Sequence, residues 1–593
     1  MQRPNIIFII IDDMGWRDLT CYGSSFYETP NIDSLASDGM MFTDAYAACP
    51  VCSPTRASIM TGKYPARLGT TNYFGAMRER GKLLTPPYID HLPDGEITVA
   101  KALQDAGYAT YHVGKWHLGP EEYWPEHVGF QVNVGGCSWG NPKHGYFSPY
   151  KNPRLDDGPR GEYLTDRLTT EAIQLIQSDR KGNPFFMYLS YYAVHVPIQA
   201  PEHVRQKYVK KAKEMGLASK DPFQYGDYFP CEHKKDMRMR RRLFQSDPTY
   251  AAMIDVLDTN IGRLLATLEE LDILDETIIF FFSDNGGLAT GSGTPTCNKP
   301  LAEGKGWMYE GGVRDPLIVK WPGVVKPGTK CGVPVTSTDF YPTILEMAGL
   351  PPMTNQHVDG VSLLPLLKGS GEGALDREAI YWHYPHYGNQ GGTPGSSIRY
   401  GDFKLIEFFE DNHVELYDLG NDIGVEHDLA SEMGGTVMNM KQLLHEWQQE
   451  MEALFPEPNP DYPYYLYKHF IKEKGRLVLN DDGAACIEIH LSPQNPELYK
   501  IPLNEIIDYY LGKDTIFIFQ GQTMKGTFHA GDSGKLSLRR SQSDEIVDVD
   551  ALLTPLLGKI VSIKAWKRDD SEKHGDLDAS HAVRVSVPED PSL

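Results

Sequence analysis

The chain has 593 residues, a formal net charge of −23 at pH 7, 41% hydrophobic, 23% charged and 11% aromatic residues, and eight cysteines. That balance excludes a disordered or fibrous chain, and at about 100–200 residues per domain it implies several units or one large domain with additions. The acidic excess excludes the basic footprint that nucleic acids and anionic membranes require, and no run of about 18 apolar residues exists to span a bilayer.

The first apolar run, Ile6 to Ile11, is short and stops at Asp12-Asp13 with no small-residue cleavage site. It reads as a buried strand rather than a signal peptide. With few cysteines and no regular framework, the expectation is a reducing, cytoplasmic location, or a periplasmic or secreted one if an export signal has been removed. Further strands are expected at 109–113, 185–191, 277–282 and 317–320. They alternate with helices at 54–61, 98–106, 165–178, 250–271 and 340–348. Continuous apolar strands between helices specify an α/β unit with a mostly parallel sheet covered on both faces. Residues 138–160 and 217–247 read as surface loops, the second carrying a basic run, Lys234 to Arg242, expected to be solvated. Residues 375–469 form an α+β unit with strands at 379–383, 403–408 and 414–418, a helix at 436–454 and a Pro-rich linker at 456–463. The remainder, 470–593, is expected to be a β-rich module with strands at 476–479, 485–491, 515–520, 535–539, 560–567 and 582–587. The domain expectation is thus 1–374, 375–469 and 470–593.

Two strands end alike, one in Asp12-Asp13 and the other, through Ser283, in Asp284-Asn285. Ligands of open parallel sheets bind beyond the carboxyl ends of the strands. Three carboxylates and an amide gathered there need a cation, and all-oxygen donors point to a hard metal, Ca2+ or Mg2+, rather than zinc. Other strand ends bring cations: Lys115 and His117 in Gly114-Lys115-Trp116-His117-Leu118-Gly119, His195 after the 185–191 strand, and Lys305 in Gly304-Lys305-Gly306. A metal and basic side chains at one edge describe a clamp for a tetrahedral oxyanion, phosphate or sulfate. In Cys49-Pro50-Val51-Cys52-Ser53-Pro54-Thr55-Arg56, Ser53 is a natural N-cap and Pro54 a natural first helical residue. That places Cys52 just outside a helix N-terminus, where the dipole and Arg56 favour an anion. A structural cysteine, or a disulfide to Cys49, is the other reading.

The Cys52–Arg56 segment, extended by Ala57-Ser58-Ile59-Met60-Thr61-Gly62-Lys63, resembles the signature of the formylglycine-dependent (type I) sulfatases. The opening through Asp12-Asp13, the Gly114–Gly119 segment, Ser283–Gly287 and Gly304–Arg314 resemble the same family in its order. The likeness covers residues 4–345, more loosely 375–455, and not the last part of the chain.

The resemblance implies an alkaline-phosphatase-like α/β sandwich with a smaller C-terminal α+β subdomain that helps close the substrate pocket, here with the β-rich module appended. It implies a sulfuric ester hydrolase, with a sulfated saccharide as substrate. A phosphonate monoester or phosphodiester hydrolase with the same chemistry is the alternative. Cys52 would be oxidised to formylglycine (3-oxoalanine) by a separate maturation enzyme, and its hydrate would attack sulfur. Asp12, Asp13, Asp284 and Asn285, with the modified Cys52, would hold Ca2+, and Arg56 would fix the nucleophile. Lys115 and Lys305 would neutralise sulfate, Lys305 or His195 would act as acid, and His117 as base. His386 and Arg399, with the aromatic run Tyr381 to Tyr387, form one expected lip of the sugar site, and Trp139, His144 and Tyr146 another. Homo-oligomerisation is left open.

Overall fold

A computed structural model describes residues 3–460, less positions 77–80, 179–181, 229, 232, 233, 235–237, 292 and 370–374, and beyond residue 460 the strands named below, the helix Val549–Leu553 and residues 535 and 554. The chain divides into two compact units, residues 1–79, 85–227 and 239–456 in one and 80–84, 228–238 and 457–593 in the other.

The first unit is built on a large mixed sheet. Its strands run in the order Thr329–Cys331, Met40–Tyr46, Arg314–Lys320, Thr277–Ser283, Asn5–Ile11, Phe185–Ser190, Ala109–Gly114 and Val132–Val134, with Val335–Thr336 also on Met40–Tyr46. Arg314–Lys320 runs antiparallel to both neighbours, and the other pairings are parallel. The central strand shows why this sequence makes this architecture. Its six apolar residues, Ile6 to Ile11, are fully buried. Successive side chains of a strand face opposite ways. Ile7, Ile9 and Ile11 therefore join one core with Leu168 of the Leu164–Gln177 helix and Ile254 and Ile261 of the Pro248–Glu270 helix. Ile6, Phe8 and Ile10 join a second core with Ile59 of the Cys52–Thr61 helix, Leu103 of Val99–Asp105 and Ile344 of Phe340–Met347. Each such side chain contributes about 1.5–3 kcal/mol on burial. Six of them outweigh the cost of burying the two carboxylates that follow, provided those find partners.

Thr277–Ser283, Asn5–Ile11, Phe185–Ser190 and Ala109–Gly114 are adjacent and parallel, so their carboxyl ends share one edge of the sheet. The α/β sandwich with a large, mostly parallel sheet is as expected. The same unit carries a four-stranded antiparallel sheet, Ala379–Tyr384, Gly395–Tyr400, Phe403–Phe408 and Val414–Asp418, whose core includes Met440, Leu444 and Trp447 of the Gly434–Glu450 helix. Beyond residue 460 a nine-stranded sheet is formed in the order Leu498–Pro502, Ala485–His490, Gly475–Leu479, Ile560–Lys567, His581–Ser586, Asp514–Phe519, Gln522–Ala530, Leu536–Arg540 and Ile546–Asp548.

Several expectations are corrected. The helix bearing Cys52 begins at Cys52 itself, with Val51 as an extended N-cap and no side-chain cap. Ser53 accepts a hydrogen bond from the Phe74 amide instead (3.1 Å). The 138–160 segment is irregular but not superficial, since Tyr146, Ser148, Tyr150 and Leu155 are buried. In the basic run, Arg242 is buried and donates to the Thr294 carbonyl (2.7 Å), Arg241 pairs with Glu303, and Arg240 lies 3.6 Å from the Phe223 ring centroid. Positions 235–237 of that run lie outside the described residues. The expected linker contains a short strand, Glu457–Pro458, paired with Leu83–Leu84; residues 461–463 lie outside the described residues. The strand Gly395–Tyr400 was not anticipated.

Candidate active site

At the shared strand edge the chain must turn at once, and it does so in left-handed backbone. Asp13 has φ +62° and His117 φ +59°, conformations that cost a non-glycine residue about 1–3 kcal/mol and mark a functional site when the fold enforces them. Gly114, with φ +104°, admits the approach of the neighbouring strand: a Cβ there would lie 1.8 Å from the Ser190 carbonyl oxygen. Lys115 and His117 follow directly.

The acidic quartet is assembled. Asp12 accepts from Lys115 Nζ (2.7 Å), both side chains being wholly buried. Asp13 accepts from Lys305 Nζ at 2.7 and 2.9 Å and from Asn285 Nδ2 at 2.8 Å. Asp284 pairs with Arg56 Nε (2.7 Å). Arg56, 1% exposed, also donates to Ser190 Oγ and the Lys115 carbonyl (3.2 Å). Ligand atoms of Asp12, Cys52 and Asp284 lie within 4.8 Å of one another, as do those of Asp12, Asp13 and His195. Cys52 and Cys49 are free thiols, so the disulfide reading is set aside.

Burial pushes the Asp12 carboxyl well above its ordinary value; Lys115 opposes this, while Asp284 and Asp13 add to it. Burial acts the same way on Asp13, but Lys305, then His195 and Lys115, outweigh it and hold this carboxyl below the usual carboxylate range. Burial disfavours the Lys305 ammonium, yet Asp13, Cys52 and Asp12 hold it charged and above its ordinary value. His117 is pushed well below its usual value by burial and by Lys115. His195 is pushed down to about 3 by burial and by Lys305. Both rings are therefore neutral near pH 7. Among the described residues, two buried oxygens, Asp12 Oδ1 and Asn285 Oδ1, have no hydrogen-bond partner. Two orphan oxygens beside like-charged carboxylates fit a hard cation, whose charge would offset their desolvation.

His117 Nδ1 faces Cys52 Sγ at 3.4 Å, and its Nε2 lies 3.0 Å from the Phe74 carbonyl. A carbonyl only accepts, so Nε2 carries the proton and Nδ1 turns its lone pair to position 52. By the same logic His195 Nδ1 donates to the Val196 carbonyl (2.9 Å), leaving Nε2 toward Asp13 at 3.6 Å. The Tyr146 hydroxyl lies 2.6 and 2.8 Å from the carbonyls of Tyr192 and His195 and braces that loop from beneath.

A cavity of about 340 Å³ opens over this cluster, lined by Asp13, Cys52, His117, His195 and Lys305 among others. Asp12, Arg56, Lys115, Asp284 and Asn285 are buried and are not among its lining residues. Of the expected lip, neither His386 nor Arg399 lines the cavity. His386 is buried with Nε2 2.8 Å from Thr71 Oγ1. Arg399 belongs to a buried ionic network: it pairs with Asp44 (2.7 Å) and Tyr46, Arg314 pairs with Asp44 (2.8 Å) and Glu310 (3.3 Å), and Lys404 with Glu310 (2.9 Å). This network ties the four-stranded sheet to the Met40–Tyr46 and Arg314–Lys320 strands. Tyr146 is fully buried, and Trp139 and His144, ring centroids 5.8 Å apart, do not line the cavity. Sequence reasoning missed Phe74 and Ser190, which orient His117 and Arg56. It also missed Tyr73, Asn141, Asn389 and Gln390, which line the cavity; no motif marked them.

Comparison with known proteins bears on this site. The family model described as Sulfatase matches residues 4–350, and that described as N-sulphoglucosamine sulphohydrolase, C-terminal, matches residues 303–454. A sulfatase of Formosa agariphila is 33% identical over 504 residues, 73% of this chain and 85% of that protein. Human N-acetylgalactosamine-6-sulfatase is 31% identical over 407 residues, 64% of this chain and 68% of its own length. The crystal structure of Ps i-CgsB in complex with k-i-k-neocarrahexaose superposes with a TM-score of 0.60 and 28% identity, covering 75% of this chain and 93% of that one.

Fold and matches together define a hydrolase of alkaline-phosphatase-like architecture. The chain belongs to the sulfatase family and is a sulfuric ester hydrolase. Among the described residues no helix is long and apolar enough to cross a membrane.

Proposed function

We propose that the protein hydrolyses a sulfate ester on a saccharide, with Cys52 converted to formylglycine and Ca2+ held by Asp12, Asp13, Asp284 and Asn285. The observation that carries this reading is the meeting of Cys52 with Asp12 and Asp284, ligand atoms within 4.8 Å, under a cavity walled by Lys305 and two neutral histidines. The saccharide rests on the human relative, named for a sulfated amino sugar, and on Ps i-CgsB, which holds a neocarrahexaose.

Ca2+ held there would supply Lewis-acid polarisation of the sulfate group, and formylglycine at position 52 would supply the nucleophile. The chain's own groups do the rest. Arg56, clamped by Asp284 and Ser190, fixes the approach at position 52. Lys115 and Lys305 balance the charge of the sulfate group. His117 Nδ1 takes a proton at position 52, which its neutral state permits. Lys305 is the protonated group on the cavity wall, so it is the donor to the leaving oxygen, with His195 Nε2 accepting a hydrogen bond beside it. Every residue of the Cys52–Thr61 helix is buried, so the maturation enzyme that this reading requires must meet the segment before folding is complete.

The test is sulfate release, measured by ion chromatography, from aryl sulfate and a panel of sulfated saccharides, set against phosphate release from an aryl phosphodiester. The reading expects sulfate release to dominate. A preference for the phosphodiester would replace it.

A further inference from the structure

Among the described residues that line the cavity, the charged side chains are Asp13 and Lys305. Among its described lining residues Lys305 is the one lysine or arginine, and Asp13 already holds it. Apart from the histidines and Cys52, the described wall carries neutral groups, Tyr73, Phe74, Asn141, Leu288, Asn389 and Gln390 among them. Asn389 is exposed, and Tyr73, Asn141 and Gln390 are half-buried.

This wall is fixed in place. Asn389 Nδ2 donates to the Tyr73 hydroxyl (2.9 Å), joining two loops far apart in sequence. The Gly388 amide donates to the Gly392 carbonyl (2.8 Å), closing the loop that carries Asn389 and Gln390. That loop rests on Gly306, the neighbour of Lys305: a Cβ on Gly392 would lie 1.9 Å from the Gly306 oxygen. The Thr290 hydroxyl donates to the Gln390 carbonyl (3.3 Å). The position of Gln390 relative to Lys305 is thereby set by backbone. Among the described residues the side-chain amides of Asn141 and Gln390 make no hydrogen bond within the protein.

A carboxamide offers two donors and an acceptor, matching hydroxyls and acetamido groups, which both give and receive. It offers nothing to neutralise a carboxylate or sulfo group, whose desolvation would go uncompensated. We propose that Asn141, Asn389 and Gln390 form the specificity wall of the sugar site, and that the ring bearing the reacting sulfate ester is otherwise neutral, substituted by hydroxyls or an acetamido group. This rests on the sulfatase reading above and adds the class of sugar.

The experiment compares kcat/KM for paired monosaccharide sulfates that differ in one group: acetamido against N-sulfo, and hydroxymethyl against carboxylate, with aryl sulfate alongside. The neutral member of each pair is expected to be favoured at least tenfold, chiefly through KM. Gln390→Arg is expected to shrink that preference at least tenfold, and Gln390→Ala to raise KM for the neutral sugar with little change in its kcat. Equal rates within the pairs, preference for the anionic member, or turnover of aryl sulfate with neither sugar hydrolysed would overturn the inference while leaving the sulfatase reading standing. No turnover of aryl sulfate by matured protein would strike that reading and take the inference with it.

Discussion

Arg399→Met separates two roles for one residue. A basic side chain near an aromatic run invites a role in sugar binding, but here it pairs with Asp44 at 2.7 Å in a network that is 5% exposed at Arg399 and 9% at Asp44. Breaking a buried ion pair by removing one partner costs about 3–5 kcal/mol, because the other charge is left uncompensated. Asp44 keeps Arg314 at 2.8 Å, so the expected cost falls to about 2–4 kcal/mol. At about 2 °C per kcal/mol for a large domain, the melting temperature should fall by about 4–8 °C. Differential scanning calorimetry with steady-state kinetics below the transition reads both quantities. The expected result is a lower Tm with KM within twofold of the parent. An unchanged Tm with KM raised tenfold would refute the structural role and return Arg399 to the substrate.

Lys115→Ala removes charge balance at the sulfate and strands Asp12, so kcat/KM should fall by about 10²–10³-fold, the scale of losing one preorganised electrostatic contact; a loss under threefold would show that Lys115 does not face the reacting group. Dialysis against a calcium chelator should abolish turnover and lower Tm, both restored by added Ca2+ and not by zinc; full activity in the metal-free protein would contradict the role given to the acidic quartet. Glu310 gives a pH signature. Burial pushes its carboxyl up, but Lys404, Arg314 and Arg399 outweigh that and hold it at about 2 against an ordinary 4.5. A depressed carboxylate stabilises the fold above its unfolded value and loses that contribution as pH falls through the folded one. Urea melts should therefore lose about 3 kcal/mol of stability between pH 4.5 and 2 on this account, and Glu310→Gln should flatten that limb; an unaltered acid limb would count against the pairing.

What the sequence made legible followed from periodicity and strand ends. A six-residue apolar run closing on Asp12-Asp13 reads as a buried parallel strand with two carboxylates at its carboxyl end, and the structure places it in the middle of the sheet. The same logic brought Asp284, Lys115 and His195 to that edge. What escaped it was set by tertiary contacts and by backbone. The proton position on His117 depends on the Phe74 carbonyl, which any residue type could supply. Gly395–Tyr400 has few strong strand formers and pairs because strands on both sides supply its ladder. Ser53 has a good cap's chemistry, but its hydroxyl is engaged by the Phe74 amide, and the helix starts two residues earlier than expected, at Cys52. Tyr146 in a Gly- and Pro-rich stretch looks like a loop residue, yet its ring fills the core under the His195 turn.

The central claim is that position 52 bears the nucleophile beside the acidic quartet. Its most direct test is mass spectrometry of the peptide containing Cys52, from protein made with a maturation enzyme present, alongside sulfate release by the same sample and by Cys52→Ala. The account predicts an aldehyde at position 52, sulfate release in proportion to its occupancy, and none from the variant. Undiminished turnover by Cys52→Ala, or by protein whose Cys52 remains wholly a thiol, would contradict it.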